Sequence, residues 1–562
     1  MECLFMRRLL DRLPPRAAWL LAAAATLGPA GLRASEPQVL AVAAVDSFAD
    51  VRKQLMWLGG QIGQPALAVA ADTTAMMATQ GRGLNGLDTT RPAGVVVTTD
   101  GTLPIVHGYI PVKSLDKLLE SLQASLGAAT KDGDVRRVML PSGTTLEFTE
   151  RVAPSGTWAV ATVAGSPAGM ADPLPLLEGV AKEFSTGLRV YPSLMPEPLR
   201  KQLEEVLDRA ARQAAAQGQP IAPGTIESFV AGLADTESLA VGMAIDATAQ
   251  EVFLATDATN VAGSPAAVRM TAAKQGTLTV GLPPRADGQR AAISGHVAQV
   301  IPADVQPAVV KSLDDAVEQA GDDPLAKTLA TVARSLVAAA LGTGTVEAAL
   351  AVDTSAATKE AALPAVTAGV RVKDGRALEA QLKKALGDGS ALPGGVTVAF
   401  DAGTAGDTKL HTVRVAIEDE TLAERIGDAL ELTLAVAPEY AFVLAGGDVK
   451  QRAAAAAAAS GKAVADAKPI ADLRVAVDEM LAYSRAVGAE PAAEKGSAAA
   501  RAAGGGTMLL AVRPIERGVA TRVSIDAAAL KAAAAMAAPP PRPGLPAGVP
   551  LPQGFPIPAP AR

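Results

Sequence analysis

The sequence predicts an α+β fold: two related halves of mainly antiparallel sheet, with helices packed on one sheet face and a helical segment bridging the halves. Three observations carry this expectation. Short apolar runs are joined by tight turns, as at Thr99-Asp100-Gly101, which favours antiparallel pairing over a doubly wound parallel sheet. Between such runs stand segments with apolar residues every three or four positions, for example Leu199, Leu203, Val206 and Ala210, and these should cover the sheet. The chain also repeats itself: shifted by 260 positions, residues 103–127 align without a gap on 363–387, and nine of those 25 positions are identical.

Taken from the start, residues 1–34 have the order of a secretory signal peptide. Arg7, Arg8, Arg12 and Arg16 precede an apolar run from Ala17 to Leu27, and small residues lead to an expected cleavage near Ala34. The run is too short to cross a bilayer comfortably, and Arg7-Arg8 sits in a poor twin-arginine context, so general secretion is the preferred route. Residues 35–59 read as a linker and helix, 60–260 as the first half, 261–329 as a mostly helical bridge and 330–530 as the second half. Ten prolines between Pro539 and Arg562 make 539–562 an extended tail that cannot join a core.

Inside the repeat, Val106–Val112 reads as a strand. Ser114 and Asp374 stand where helix N-caps are wanted, the leucines recur along one helix face, and Gly127 and Gly387 suit αL C-caps. Further correspondences follow in order: Thr157–Val160 with Glu439–Phe442, and Leu188–Val190 with Leu473–Val475, the latter echoed weakly at His296–Val300. Both halves end in an expected hairpin, Leu239–Asp257 and Met508–Asp526. The seven alanines of 453–459 suit a helix, and 485–506 read as a loose connection.

Composition closes off several functions. The chain carries a formal charge of −7; residues 1–34 hold a net +3, so the remainder carries −10. An acidic chain with 3% aromatic residues has neither the basic surface nor the stacking platforms of a nucleic-acid binder. Its one cysteine, Cys3, precedes the expected cleavage, which leaves no thiol for disulfides, nucleophilic catalysis or thiolate metal sites. The three histidines, His107, His296 and His411, are too far apart for a local zinc motif. No run of 18 apolar residues follows the signal, so no integral membrane span is expected after its removal.

Motifs that resemble catalytic signatures lack their context. Gly81-Arg82-Gly83-Leu84-Asn85-Gly86 spells GxGxxG, but turn residues follow where a dinucleotide site needs a helix N-terminus. Ser166 and Ser264 share the string AGSPA, whose proline removes the amide that an oxyanion hole needs. Ser114 to Lys117 fits SxxK, yet the repeat partner at Asp374 keeps only the cap. Glu204-Glu205 and Asp314-Asp315 read as solvated helix faces, and Asp132-Gly133-Asp134 lacks the remaining calcium-loop ligands. His411 lies on an alternating strand and reads as structural, as does His107, while Trp57, Trp158 and Tyr440 read as packing residues. No catalytic, cofactor-binding or metal-binding residue is assigned.

The run Trp57-Leu58-Gly59, Arg91-Pro92, Pro111-Val112-Lys113 with its leucine helix, Trp158, and Leu188-Arg189-Val190 resembles a family of exported bacterial proteins of unknown function. That resemblance implies export and a duplicated α+β build, and no activity. The functional expectation is a non-catalytic protein, periplasmic or secreted, that presents sheet surfaces to an envelope or other extracytoplasmic protein partner. Two alternatives stand beside it: a binder of a small apolar or lipid-like ligand held between helices and sheet, and a hydrolase of dispersed residues anchored on His411.

Overall fold

The computed structural model describes residues 38–537 apart from 102, 141, 168, 217–224, 274–275, 284–289, 320–323, 359–360, 388–394, 418, 464–469 and 489–491. The expected signal peptide with Cys3 and the proline-rich tail lie outside the described residues. The architecture is α+β, with fifteen α-helices and one large antiparallel sheet among the described residues.

Ten strands precede residue 261: β1 (Gln38–Val45), β2 (Ala93–Thr99), β3 (Pro104–Pro111), β4 (Thr130–Asp132), β5 (Val135–Met139), β6 (Thr145–Ala153), β7 (Gly156–Val163), β8 (Thr186–Val190), β9 (Thr236–Asp246) and β10 (Glu251–Asn260). Ten follow: β11 (Ile293–Val300), β12 (Thr345–Asp353), β13 (Ala365–Arg371), β14 (Val396–Ala405), β15 (Thr408–Ala416), β16 (Ala429–Val436), β17 (Tyr440–Ala445), β18 (Ala471–Ala476), β19 (Thr507–Ile515) and β20 (Gly518–Asp526). Every pairing is antiparallel. From the β10–β20 pair outward, one side runs β10, β9, β8, β1, β2, β3, β7, β6, β5, β4. The other side runs β20, β19, β18, β11, β12, β13, β17, β16, β15, β14.

Local chemistry sets the elements. Ser114 accepts a hydrogen bond from the Lys117 amide and starts the helix Leu115–Leu126; Asp374 accepts from the Arg376 and Ala377 amides and starts Gly375–Leu386. Gly127 and Gly387 end these helices with φ of 95° and 74°, but their ψ values of 172° and −167° are extended, so neither is the expected αL cap. The hairpins β9–β10 and β19–β20 form as the alternation requires.

The expectation of helices on one face alone is corrected. Leu115–Leu126 buries Leu115, Leu118 and Leu119 against Val138, Phe148 and Ala159 on one side of the sheet. Leu174–Ala181 buries Leu177 and Val180 against Val42, Val96 and Val160 on the other. Successive strand residues alternate between faces, so Ala159 and Val160 anchor two separate layers. Phe184 fills the dent left by the cross-strand pair Gly187 and Gly242; a Cβ on Gly242 would stand 2.1 Å from its ring.

One other segment differs from expectation. Residues 485–506 hold the helix Ala492–Ala502, because Ala493, Gly496, Ser497 and Ala500 form a small-residue stripe that lets neighbouring helices approach closely. At Gly496 a Cβ would meet Met536 at 2.6 Å and Leu481 at 3.0 Å. Within 261–329, the strand at His296–Val300 joins the sheet between β18 and β12, which is the place β1 takes between β8 and β2.

The two sides meet along β10 and β20, from Glu251 opposite Asp526 to Thr259 opposite Gly518. At one end Arg517 reaches Glu237 and the Asn260 carbonyl, while the Asn260 side chain donates to the Arg517 carbonyl at 3.0 Å. At the other end the Ala527 amide donates to the Gln250 carbonyl at 2.8 Å. A Cβ on Gly518 would sit 1.9 Å from the Ala258 carbonyl oxygen, so the junction admits no side chain there. Gly518→Ala should cost about 1–3 kcal/mol in urea unfolding through forced displacement of β10. An unchanged unfolding midpoint would contradict so close a junction.

Candidate interaction surface

The central strands carry apolar residues on both faces, with an uneven division of size. Cross-strand partners point to the same side, so the register defines rows of side chains running across the strands. One row reads Leu473, Leu510, Val523, Leu254, Met243 through β18, β19, β20, β10 and β9. A second reads Val475, Met508, Ile525, Val252, Ile245. A third joins Val512, Thr521, Thr256, Val241 and Leu188, and continues to Ala43 on β1.

Seven of these sixteen side chains are exposed and the other nine are half-buried. Leu254 is 53% exposed, and Val45, Val241, Met243, Leu473, Met508, Leu510 and Val523 on the same face are exposed as well. The opposite face of the same strands carries Ala240, Gly242, Ala244, Ala255, Ala511 and Ser524 with Phe253, and most of these are buried. The helices Pro265–Ala273 and Ala527–Ala537 touch it over β10, β19 and β20. Ordinarily the large aliphatics of an antiparallel sheet face the covered side and polar residues face water. Here the covered side takes the small residues and the open side takes leucine, methionine, isoleucine and valine.

Charge follows the same inversion. Arg189, Glu251, Asp257, Asp472, Arg474, Arg513 and Arg522 alternate with the row residues and therefore lie on the helix side. Arg522 pairs with Glu251 and lies 3.5 Å from the centre of the Phe253 ring. Asp257 has its carboxyl pushed up by burial, with Glu183 adding to the rise. None of the row positions carries a charge. Contiguous uncharged apolar faces of this breadth are uncommon on the surfaces of monomeric proteins.

At one margin the face runs under the helix Pro324–Leu341. There an apolar cleft of about 480 Å3 is lined by Leu336, Val337, Leu350, Val370, Val443 and Leu473, among others. That volume is in the range that holds a small ligand.

The residues weighed as catalytic fall elsewhere. His411 is buried on β15, and its Nδ1 accepts from the Asp401 amide at 3.0 Å, which places the ring proton on Nε2. Asp401 has φ of 53° at an irregularity in the β14–β15 pairing. Glu379, Asp401 and His411 come close enough to frame a cation. Two ammonium groups already fill that role: Lys383 reaches Glu379 and Asp401, each at 2.7 Å, and Lys409 reaches Glu379 at 2.9 Å. Burial alone would raise Glu379, yet these lysines hold its carboxyl below the usual range; the Lys383 hydrogen bond does the same for Asp401. The cluster pins the irregularity in the β14–β15 pairing.

The remaining motifs have structural roles. Ser264 Oγ accepts from the Ala267 amide and caps a helix, as Ser114 does. The segment from Gly81 to Gly86 follows the helix Ala70–Ala78 and leads to a bridge between Leu87 and Val112, so neither the strand nor the helix of a dinucleotide site is present there. Trp158 is fully buried beneath Arg91, which lies 4.7 Å from the centre of its ring system. Tyr440 is buried beside Phe442, and Trp57 is half-buried. His296 Nδ1 lies 2.7 Å from Asp472, its cross-strand partner, on the helix side.

Compared with known proteins, the chain matches no family model, no curated protein and no solved structure. No helix among the described residues is long and apolar enough to cross a membrane.

Burial holds His411 below the ordinary histidine value of 6.5, and burial with the nearby Arg151 charge does the same to His107. In the unfolded chain both regain the ordinary value, so the unfolded state takes up protons first as pH falls. The stability that depends on neutral rings is complete above about pH 6.5 and is lost as pH drops from there towards the folded values. The unfolding temperature should fall between pH 7.5 and pH 5.5. His411→Asn keeps an acceptor for the Asp401 amide and removes the titration, so its unfolding temperature should fall less; an unchanged pH slope would contradict the assignment.

Proposed function

We propose that this chain is a non-catalytic extracytoplasmic interaction protein, built from two copies of one ten-strand unit, and that the open apolar face across their junction is its docking surface. The single observation that carries the reading is the inverted division of side chains on β18, β19, β20, β10 and β9. There the larger aliphatics take the open side, the row through Leu254 exposed and most of its neighbours half-buried, and the small and charged residues face the helices. A folded chain gains nothing by exposing such a face, and a partner that covers it does.

The duplicated build rests on order and register. Strand for strand, the sequence outward from β10 is matched by the sequence outward from β20. His107 and Thr367, 260 positions apart, stand on β3 and β13 at matching places. The units then run from β1 to β10 and from β11 to β20. Export rests on the composition of residues 1–34 and on the resemblance to exported bacterial proteins.

A second reading is supported by the cleft beneath Pro324–Leu341: an apolar or lipid-like ligand held between that helix and the sheet. A hydrolase centred on His411 is not favoured. Its Nδ1 is engaged by a backbone amide and its Nε2 carries the proton, so the ring has no free lone pair with which to activate a nucleophile.

A photo-cross-linking residue at position 254, with the same group at exposed Met139 as control, tests the docking surface in intact producing cells. Capture of the protein and mass spectrometry should find an attached macromolecule from position 254 and none from 139. An attached lipid-like molecule instead would favour the second reading. No adduct from 254, or equal adducts from both positions, would contradict the docking surface.

A further inference from the structure

We infer that the occupant of the open face is a second copy of this chain, the two sheets packing face to face about a two-fold axis. This inference rests on the docking reading above and names its partner. Three observations select a copy over other occupants.

The first is charge. The chain is acidic overall, with a formal −7, so two copies repel at most of their surfaces. The row positions on β18, β19, β20, β10 and β9 carry no charge at all, which makes this the face where two copies meet without like-charge contact. The same feature disfavours a bilayer surface, because protein faces that lie on anionic lipid bring lysine and arginine to it.

The second is area. At strand spacings of about 4.8 Å, the seven strands from β18 to β1 span about 30 Å, and the exposed rows run roughly 20 Å along them. About 600 Å2 is thus available from each copy, or about 1,200 Å2 in a pair, at the lower bound of stable specific interfaces. A small ligand cannot cover that surface.

The third is symmetry. Sheets pack face to face about 10 Å apart with their strands nearly aligned, side chains of one layer filling gaps in the other. A two-fold contact uses one patch twice, so the patch must complement itself. Here the strand order is the same on either side of the β10–β20 pair, and the row Leu473, Leu510, Val523, Leu254, Met243 has large aliphatic side chains on both sides of that junction. Rotated onto itself, the row presents apolar side chains to apolar side chains along its length.

The test is sedimentation velocity of the purified exported protein over a wide concentration range, beside the double variant Leu254→Glu/Leu510→Glu. The unaltered protein should sediment as a dimer. The variant should be a monomer, its dissociation constant raised about 100-fold or more, with the far-ultraviolet circular dichroism of the parent. Leu254→Thr/Leu510→Thr, which retains strong strand propensity, serves if the glutamates disturb folding, and it too should weaken the dimer. An unaltered protein that is monomeric at every concentration overturns the inference, as does a variant that folds and still dimerises. Should position 254 then cross-link to a different molecule in cells, the docking surface survives without the dimer. Should it cross-link to nothing, both fail.

Discussion

The rest of the structure hangs on the two-residue period of a strand, most plainly in β9, where seven consecutive residues are non-polar. In Leu239-Ala240-Val241-Gly242-Met243-Ala244-Ile245, one parity is large and the other small, and both avoid water. Such a strand needs cover on two sides. The chain supplies one cover, a layer of helices pressed close by alanine and glycine, and leaves the larger side chains on the other side without one.

The helices that do reach the open side stand at its ends. Leu115–Leu126 covers the outer strands of one wing and Gly375–Leu386, with Pro324–Leu341, covers those of the other. Between them the strands from β18 to β1 are bare. The β10–β20 junction makes this gap continuous: without that pairing each hairpin would end in an exposed edge strand, a template for aggregation. The clasp of Arg517 on Glu237 and the Asn260 carbonyl, and the absence of a side chain at Gly518, hold the two hairpins in one surface.

Much of this was legible in the sequence where the signal is local. The caps at Ser114 and Asp374, the leucine helices, the alanine helix at Val449–Ala459 and the two hairpins all follow from short-range patterns. What escaped was non-local or rested on small residues. Nothing near Leu254 announces that its neighbour is Val523. At Ala492–Ala502 the sequence suggests only a loose connection, since a stripe of alanine, glycine and serine has no apolar periodicity strong enough to announce a helix, although it packs well against other small residues. Helices on both faces were missed because alternation shows that a strand has two faces without showing what covers each. The exposed face did leave a trace, the alternation of large and small apolar residues in β9, but the sequence alone cannot show which parity points to the helices. The site residues weighed one by one, His411 above all, gave no hint of the surface, because no single residue defines it.

Oxidation of the methionines distinguishes a covered face from a bare one. Met243 and Met508 lie on the open face, while Met56, Met77 and Met139, also exposed, do not belong to its rows. Treated with dilute peroxide in its native assembly, the protein should convert Met56, Met77 and Met139 to sulfoxides quickly. Met243 and Met508 should lag far behind, by more than their somewhat smaller exposure explains, and all five should react alike once the chain is unfolded. Equal rates for all five in the native protein would mean that the face is bare in solution and has no partner, which would contradict a docking surface.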